Sequence, residues 1–261
     1  MKRLLRCLPE VEERVRASQG CVLMLDFDGT LSPLSDTPRK AIFPSDKKAI
    51  LEQVSRYVPT AIISGRSLTD IQRKVGIRDV VYVGNHGMEW KIENKTRKIQ
   101  VPGKMMRALS STRHQLGLLA AVYPGSLLED KGLTLALHYR LVEPHSAVKL
   151  VSEAKKKTAL YIEKELLAVR ISNKTFELWP ALNWNKGKIA ELLCRDYFKG
   201  YLPIYIGDDI TDEDAFRALY HGITVRIGRS SRSVANYYLE NERQVGPFLK
   251  WLCSVIPAPL A

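Results

Sequence analysis

The sequence predicts an α/β fold, a doubly wound parallel sheet carrying an inserted α+β domain, and three features predict it. Short apolar runs repeatedly end in a small polar loop, and amphipathic stretches of helical period separate them. Between Pro102 and Pro180 this alternation gives way to strands in adjacent hairpins. Strands that alternate with helices need crossover connections, which build a mostly parallel sheet covered on both faces. Hairpins inside such a chain mark a separate module. Residues 1–102 and 181–261 are therefore assigned to the α/β core and 103–180 to the α+β insertion.

The elements follow in order. The first twenty residues mix acidic and basic side chains on a helical pattern, and the apolar run 21–25 reads as a strand buried on both faces. Residues 45–58 have helical period, and 60–63 is a β-branched strand ending in Ser64, Gly65 and Arg66. The unit then repeats: a helix over 68–75, with Ser67 and Asp70 in capping-box spacing, precedes a strand over 80–83 ending in Gly84, Asn85, His86 and Gly87. The insertion is read as a helix over 105–121, two alternating runs around Lys131 and Gly132, a helix over 144–160, and two strands around Asn173. The α/β pattern resumes with a helix over 186–198, a strand over 204–206, a capped helix over 211–219 and a strand over 223–227.

Composition removes several functional classes. A chain of 261 residues that is 45% hydrophobic and 26% charged can bury a sizeable core, which excludes disorder. Pro9, Glu10, Glu12 and Glu13 interrupt the basic amino terminus before a signal peptide could form, and no stretch approaches membrane-spanning length. Cys7, Cys21, Cys194 and Cys253 are scattered without zinc spacing, as expected of reduced thiols. The expectation is a cytoplasmic, monomeric protein with neither membrane nor nucleic-acid partner. The formal charge of +12 is spread along the chain, its densest run at Lys155–Lys157 lies on an amphipathic stretch, and aromatic residues do not interleave with the basic ones. An acidic small-molecule substrate accounts for that charge better than a nucleic acid.

The chemistry concentrates at strand ends. Residues 22–31, VLMLDFDGTL, stop an apolar run at Asp26 and Asp28, followed by Gly29 and Thr30. At the carboxyl end of a buried strand, two carboxylates are costly unless a cation meets them, which points to Mg²⁺ with one carboxylate left to react. The competing reading is a solvated turn. A second acidic loop, Gly207, Asp208 and Asp209 followed by Asp212, Glu213 and Asp214, sits in the equivalent place after another strand. Asp208 is assigned to the metal, while residues 212–214 suit the first turn of a helix, where negative charge favours the dipole. Ser64 and Gly65 offer a hydroxyl and backbone amides for a phosphate oxygen, with an ordinary turn as the competing reading, and Lys186 at a helix start offers a compensating charge, with a plain surface lysine as the competing reading.

Taken in the order Asp-x-Asp, Ser, Lys, Gly-Asp-Asp, these elements resemble the haloacid dehalogenase-like phosphatases, whose core is a Rossmann-like α/β sheet. The resemblance implies that Asp26 attacks phosphorus and Asp28 acts as general acid and then base. It also implies that Asp26, Asp208 and the Asp28 backbone carbonyl hold Mg²⁺, that Thr30, Ser64 and Gly65 bind phosphate, and that Lys186 balances charge. Specificity then falls to the insertion, as a cap. There LEDKGLTLALHYR carries Glu129, Lys131, His138 and Arg140, and FELWP carries Glu177. With Arg66 in SGR and with Asn85 and His86 in GNHG, these residues resemble the trehalose-6-phosphate phosphatases, in which a cap Glu, Lys and Glu meet sugar hydroxyls. Relatives more often carry Ser in place of Asn85 and a basic residue in place of Trp179. The resemblance implies Mg²⁺-dependent hydrolysis of trehalose 6-phosphate. Alternatives are the same chemistry on sucrose phosphate or a mannosyl phosphate, a phosphomutase, or a silent basic binding module.

Overall fold

The computed structural model describes residues 1–35 and 37–256; residues 36 and 257–261, the latter at the end of the stretch assigned to the core, lie outside it. The chain divides into two compact units, Met1–Lys98 with the chain from Trp184 onward, and Ile99–Asn183.

In the first unit the chain forms β1 (Lys2–Arg3), α1 (Leu8–Arg16), β2 (Cys21–Leu25), α2 (Ser45–Ser55), β3 (Thr60–Ile63), α3 (Leu68–Val75), β4 (Val81–Gly84), β5 (Glu89–Ile92) and β6 (Lys95–Lys98). The second unit then supplies α4 (Gly103–Val122), β7 (Leu127–Asp130), β8 (Leu135–His138), α5 (Pro144–Glu163), β9 (Leu167–Ser172) and β10 (Thr175–Pro180). The first unit resumes with α6 (Lys186–Asp196), β11 (Leu202–Gly207), α7 (Asp212–Ala218), β12 (Ile223–Ile227), β13 (Tyr237–Leu239) and α8 (Val245–Val255).

Among the described residues the first unit holds a nine-stranded sheet in the order β1-β13-β12-β11-β2-β3-β4-β5-β6. Pairing is parallel from β1 to β4 and antiparallel only at the β4–β5–β6 edge. Every residue of β2 is buried, as a strand covered on both faces requires. One face joins Leu23, Leu25, Ile62 and Ile206 to Leu51 of α2, Ile71 of α3 and Phe248 of α8 in a single cluster. Tyr205 points to the other face and meets Phe216 of α7 edge-on, ring centres 5.7 Å apart. The chain leaves β2 toward β3 on one side and returns on the other side through β11. That reversal of strand order opens the crevice at the carboxyl ends where open α/β sheets bind ligands.

Helix α2 stops at Ser55 and α6 at Asp196, two to three residues short of the periodicity-based bounds, an ordinary end effect. The hairpin β5–β6 is a finding of the structure; its outer strand, KTRK, is exposed throughout and carries no apolar alternation to announce it.

The second unit is a four-stranded antiparallel sheet, β7-β8-β10-β9, with α4 and α5. Alternation sorts its faces: Leu135, Leu137, Phe176 and Leu178 join Leu109, Leu116 and Leu150 of the helices in one core. Ala136, His138, Thr175, Glu177 and Trp179 therefore share the opposite face, where Glu177 pairs with Arg170 and His138 with Thr175.

Candidate active site

Asp26 follows directly on β2, its amide donating to Ile206 O of the neighbouring strand at 2.9 Å, so sheet register fixes its height at the crevice. Asp26 is only 4% exposed. Lys186, the first residue of α6, donates to Asp26 Oδ1 at 2.7 Å and to Asp212 Oδ1 at 2.8 Å. Burial alone would push the lysine down, but the carboxylates of Asp212 and Asp26 outweigh it and hold the ammonium charged.

The second acidic loop is organised by Asp212. Its Oδ2 accepts from the amides of Asp208 and Asp209 at 3.1 and 3.0 Å, and its Oδ1 also accepts from the Tyr205 hydroxyl at 2.8 Å. Asp26, Asp208 and Asp212 each place a carboxylate oxygen within 4.8 Å of the others. Against that charge stands the ammonium of Lys186. Burial, compounded by Asp212 and Asp208, holds the Asp26 carboxyl well above the usual carboxylate range, and burial with Asp212 raises Asp208 to about 7. Asp208 Oδ1 is inaccessible and accepts no hydrogen bond from the described residues. An all-oxygen cluster with excess negative charge and an orphaned carboxylate oxygen fits a hard divalent cation held by Asp26 and Asp208. Asp212, read from sequence as a helix-dipole residue, belongs to this cluster. The four-residue spacing from Asp208 was the available signal.

The loop after Asp26 folds back on itself, with the Leu31 and Ser32 amides donating to Phe27 O at 2.9 and 2.8 Å. Phe27 is fully buried and anchors the turn. Gly29 has φ of 81°, and a Cβ there would run into the Asp208 carboxylate. Gly29→Ala is expected to lower the thermal midpoint and to abolish most of the rise in midpoint that added Mg²⁺ produces in the parent; an unchanged Mg²⁺ response would mean that Asp208 does not need this loop. Thr30 is fully buried and its Oγ1 has no partner among the described residues, while Lys47 donates to Thr30 O at 3.3 Å and to Glu242 O at 3.0 Å. The folded-back loop thus carries, four residues after Asp26, a buried hydroxyl without a partner among the described residues.

Ser64, at the end of β3, is buried, and its Oγ accepts from the Arg66 amide at 3.2 Å. The β4 loop is strapped to it: His86 N donates to Ser64 O at 3.0 Å and Asn85 N to Arg66 O at 2.7 Å, with both residues in the left-handed region at φ of 55° and 48°. A Cβ on Gly65 would strike the His86 ring, so these two loops pack backbone to side chain. Glu89, which sequence did not single out, accepts from Asn85 Nδ2 at 2.7 Å and from Leu68 N at 2.8 Å, tying the loop to α3.

Arg66 is directed inward within this unit. Its Nε and Nη2 grip the two oxygens of Asp28 at 2.7 and 2.6 Å, and Nη1 donates to Asp70 at 2.8 Å and Pro38 O at 3.0 Å. The guanidinium also lies over the Phe27 ring. Two of its nitrogens orient Asp28, whose side chain remains 35% exposed, and the third anchors the guanidinium to Asp70 and Pro38. Asp26, Asp28, Thr30, Ser64, Gly65, Arg66, Asn85, His86, Lys186 and Asp208 all therefore belong to loops at the carboxyl ends of β2, β3, β4 and β11 or to the start of α6.

The remaining candidates lie in the second unit. Glu129 and Glu177 both pair with Ala136 in the sheet register, on the polar face. His138 Nε2 lies 2.8 Å from Glu129 Oε2 and its Nδ1 3.2 Å from Thr175 Oγ1. Lys131 stands one residue beyond β7, in the turn, and its Nζ lies 3.3 Å from Glu177 Oε1. Arg140 is exposed and donates to Asn173 O at 3.0 Å, bracing the end of the hairpins.

Comparison with known proteins gives one consistent answer. Residues 24–242 match the family model described as trehalose-phosphatase. A probable trehalose-phosphate phosphatase 2 of Oryza sativa subsp. japonica is 30% identical over 95% of this chain and 72% of its own. A probable trehalose-phosphate phosphatase D of Arabidopsis thaliana is 32% identical over 92% of this chain and 70% of its own. The C-terminal domain of the C. albicans trehalose-6-phosphate phosphatase shares the fold, with a TM-score of 0.83 at 24% identity over 97% of this chain and 98% of that one. A haloacid dehalogenase-like hydrolase from Bacteroides thetaiotaomicron shares it at a TM-score of 0.64 and 15% identity, over 89% of this chain and 99% of that one.

Proposed function

This chain belongs to the trehalose-phosphatase family, and from that premise we propose that it hydrolyses trehalose 6-phosphate to trehalose and inorganic phosphate. The observation that carries the chemistry is the buried Asp26 carboxylate, gripped through Oδ1 by Lys186 and neighboured by the orphaned Asp208 oxygen. Its other oxygen attacks phosphorus, the bond from phosphorus to the sugar oxygen breaks, and the phosphoryl group passes to Asp26. Asp28 gives its proton to the departing sugar oxygen, then takes one from the water that attacks the aspartyl phosphate and restores Asp26.

Positioning is needed for both steps. Arg66 holds both Asp28 oxygens, so the acid meets the leaving group in one orientation. The Thr30 hydroxyl, the Ser64 hydroxyl and the Gly65 amide receive the phosphoryl oxygens, and Lys186 meets the negative charge of the transferring group. Asp26 and Asp208, with the Asp28 backbone carbonyl, would hold Mg²⁺, and the ion would supply charge neutralisation at the phosphoryl group. Residues 103–180 act as the cap that selects the sugar, with Glu129, Lys131 and Glu177 meeting its hydroxyls; carboxylates accept from hydroxyls and an ammonium donates to them. His138 and Arg140 support that surface, and Asn85 and His86 border the phosphate site.

Phosphate release from a panel of trehalose 6-phosphate, sucrose 6-phosphate, mannose 6-phosphate and glucose 6-phosphate tests the reading. Release from trehalose 6-phosphate that exceeds the others and stops with chelator is the expected result. Metal-dependent release mainly from another sugar phosphate would retain the Asp26 chemistry and overturn the assignment of Glu129, Lys131 and Glu177. Mg²⁺ at a hundredfold excess over its dissociation constant is expected to stabilise the folded protein by about 2.7 kcal/mol, read as a rise in thermal midpoint that chelator reverses. A midpoint insensitive to Mg²⁺ would remove Asp26 and Asp208 as ligands.

A further inference from the structure

Arg170 stands on β9 directly opposite Glu177, and with Glu129 and Ala136 it completes one register row across the four strands of the second unit. No motif in the sequence marks it. Its Nη2 donates to Glu177 Oε2 at 2.7 Å, while Lys131 Nζ lies 3.3 Å from Glu177 Oε1, so two cations hold one carboxylate through different oxygens. The guanidinium lies over the Trp179 indole, 5.7 Å from the ring centre, which fixes its plane. Its Nε is shielded from solvent and has no acceptor among the described residues. A buried donor without an acceptor carries a desolvation penalty that a ligand oxygen removes when the side chain, 22% exposed as a whole, turns to admit it.

We propose that Arg170 is a specificity-determining residue that donates to a hydroxyl oxygen of a phosphorylated disaccharide; the inference rests on the reading of Glu129, Lys131 and Glu177 as the sugar site. The row from Glu129 to Arg170 crosses three strand spacings, about 14 Å, which exceeds one pyranose ring and suits two. Ala136, between the two carboxylates in the row, contributes only a methyl group there. Sugar hydroxyls both donate and accept, carboxylates only accept, and guanidinium and ammonium groups only donate. Two acids and two cations on one sheet face therefore satisfy both sides of a polyol's hydrogen bonding. A phosphate ester without sugar hydroxyls gains nothing from Arg170.

Steady-state kinetics of the full chain with Mg²⁺ tests this. Arg170→Met is expected to lower kcat/KM for trehalose 6-phosphate roughly 10- to 100-fold, mainly through KM, the worth of one charge-assisted hydrogen bond. Hydrolysis of p-nitrophenyl phosphate by the same variant is expected to match the parent. Arg170→Lys keeps a cation beside Glu177 but loses Nε and the planar contact with Trp179, and is expected to remain impaired by about 5-fold or more. Full recovery in the lysine variant would make Arg170 an anchor for Glu177 alone and overturn the proposal, as would an equal loss toward both substrates or no loss in Arg170→Met. A parent enzyme that hydrolyses p-nitrophenyl phosphate but not trehalose 6-phosphate would instead overturn the substrate reading on which the proposal stands.

Discussion

Asp26→Asn is expected to lose turnover on trehalose 6-phosphate by about 10⁴-fold or more while staying folded. The amide can still accept from the Lys186 ammonium through its oxygen, so the contact at 2.7 Å survives in kind. What disappears is the nucleophile, since an amide oxygen does not form the acyl phosphate. The fold should tolerate the exchange because burial, together with the neighbouring Asp212 and Asp208, already disfavours the charged form of Asp26. A thermal midpoint near that of the parent, with Mg²⁺ stabilisation weakened by the loss of one ligand, is the accompanying signature. Full activity in this variant would remove Asp26 from the mechanism; global unfolding would show that the carboxylate is needed for folding and leave the nucleophile to be identified by labelling.

Lys186→Met is expected to damage both stability and activity. The ammonium is 3% exposed and lies within hydrogen-bond distance of Asp26 and Asp212, with Asp208 close by in the same cluster. Removing one partner of a buried ion pair leaves uncompensated charge and costs about 3–5 kcal/mol, a large share of the ~5–15 kcal/mol that holds a typical domain folded. Saturating Mg²⁺ should return part of this stability by meeting the same carboxylates, but not turnover. The double variant Lys186→Met with Asp212→Asn should recover stability further, because one surplus charge is gone, and remain inactive. Denaturant unfolding with and without Mg²⁺, beside phosphate release, separates the two effects. An active, fully stable Lys186→Met would contradict the charge balance drawn here.

Residues adjacent in the chain were legible in the sequence, and residues that meet only through register or side-chain reach were not. Asp26, Asp28, Gly29 and Thr30 form one continuous loop after a buried strand, so their shared location could be read from the apolar run alone. Asp208 shares the crevice because parallel strands align their carboxyl ends, and Lys186 reaches Asp26 from the start of α6. From sequence alone Asp212 reads as a dipole residue, because a first-turn acid suits a helix start. Its side chain instead turns back to the amides of Asp208 and Asp209, with Thr211 making no side-chain cap. Arg66 was placed toward substrate by its neighbours in SGR, whereas its guanidinium reaches Asp28, thirty-eight residues earlier. Arg170 faces Glu177 only through the β9–β10 register, which alternation alone does not set.

Acid quenching of the enzyme during turnover of ³²P-labelled trehalose 6-phosphate in Mg²⁺, followed by peptide mapping, tests the central claim most directly. The account predicts an acid-stable, hydroxylamine-labile label on the peptide that carries Asp26, absent in Asp26→Asn and absent with chelator. Phosphate release without any trapped label, or a label on a different residue, would contradict it.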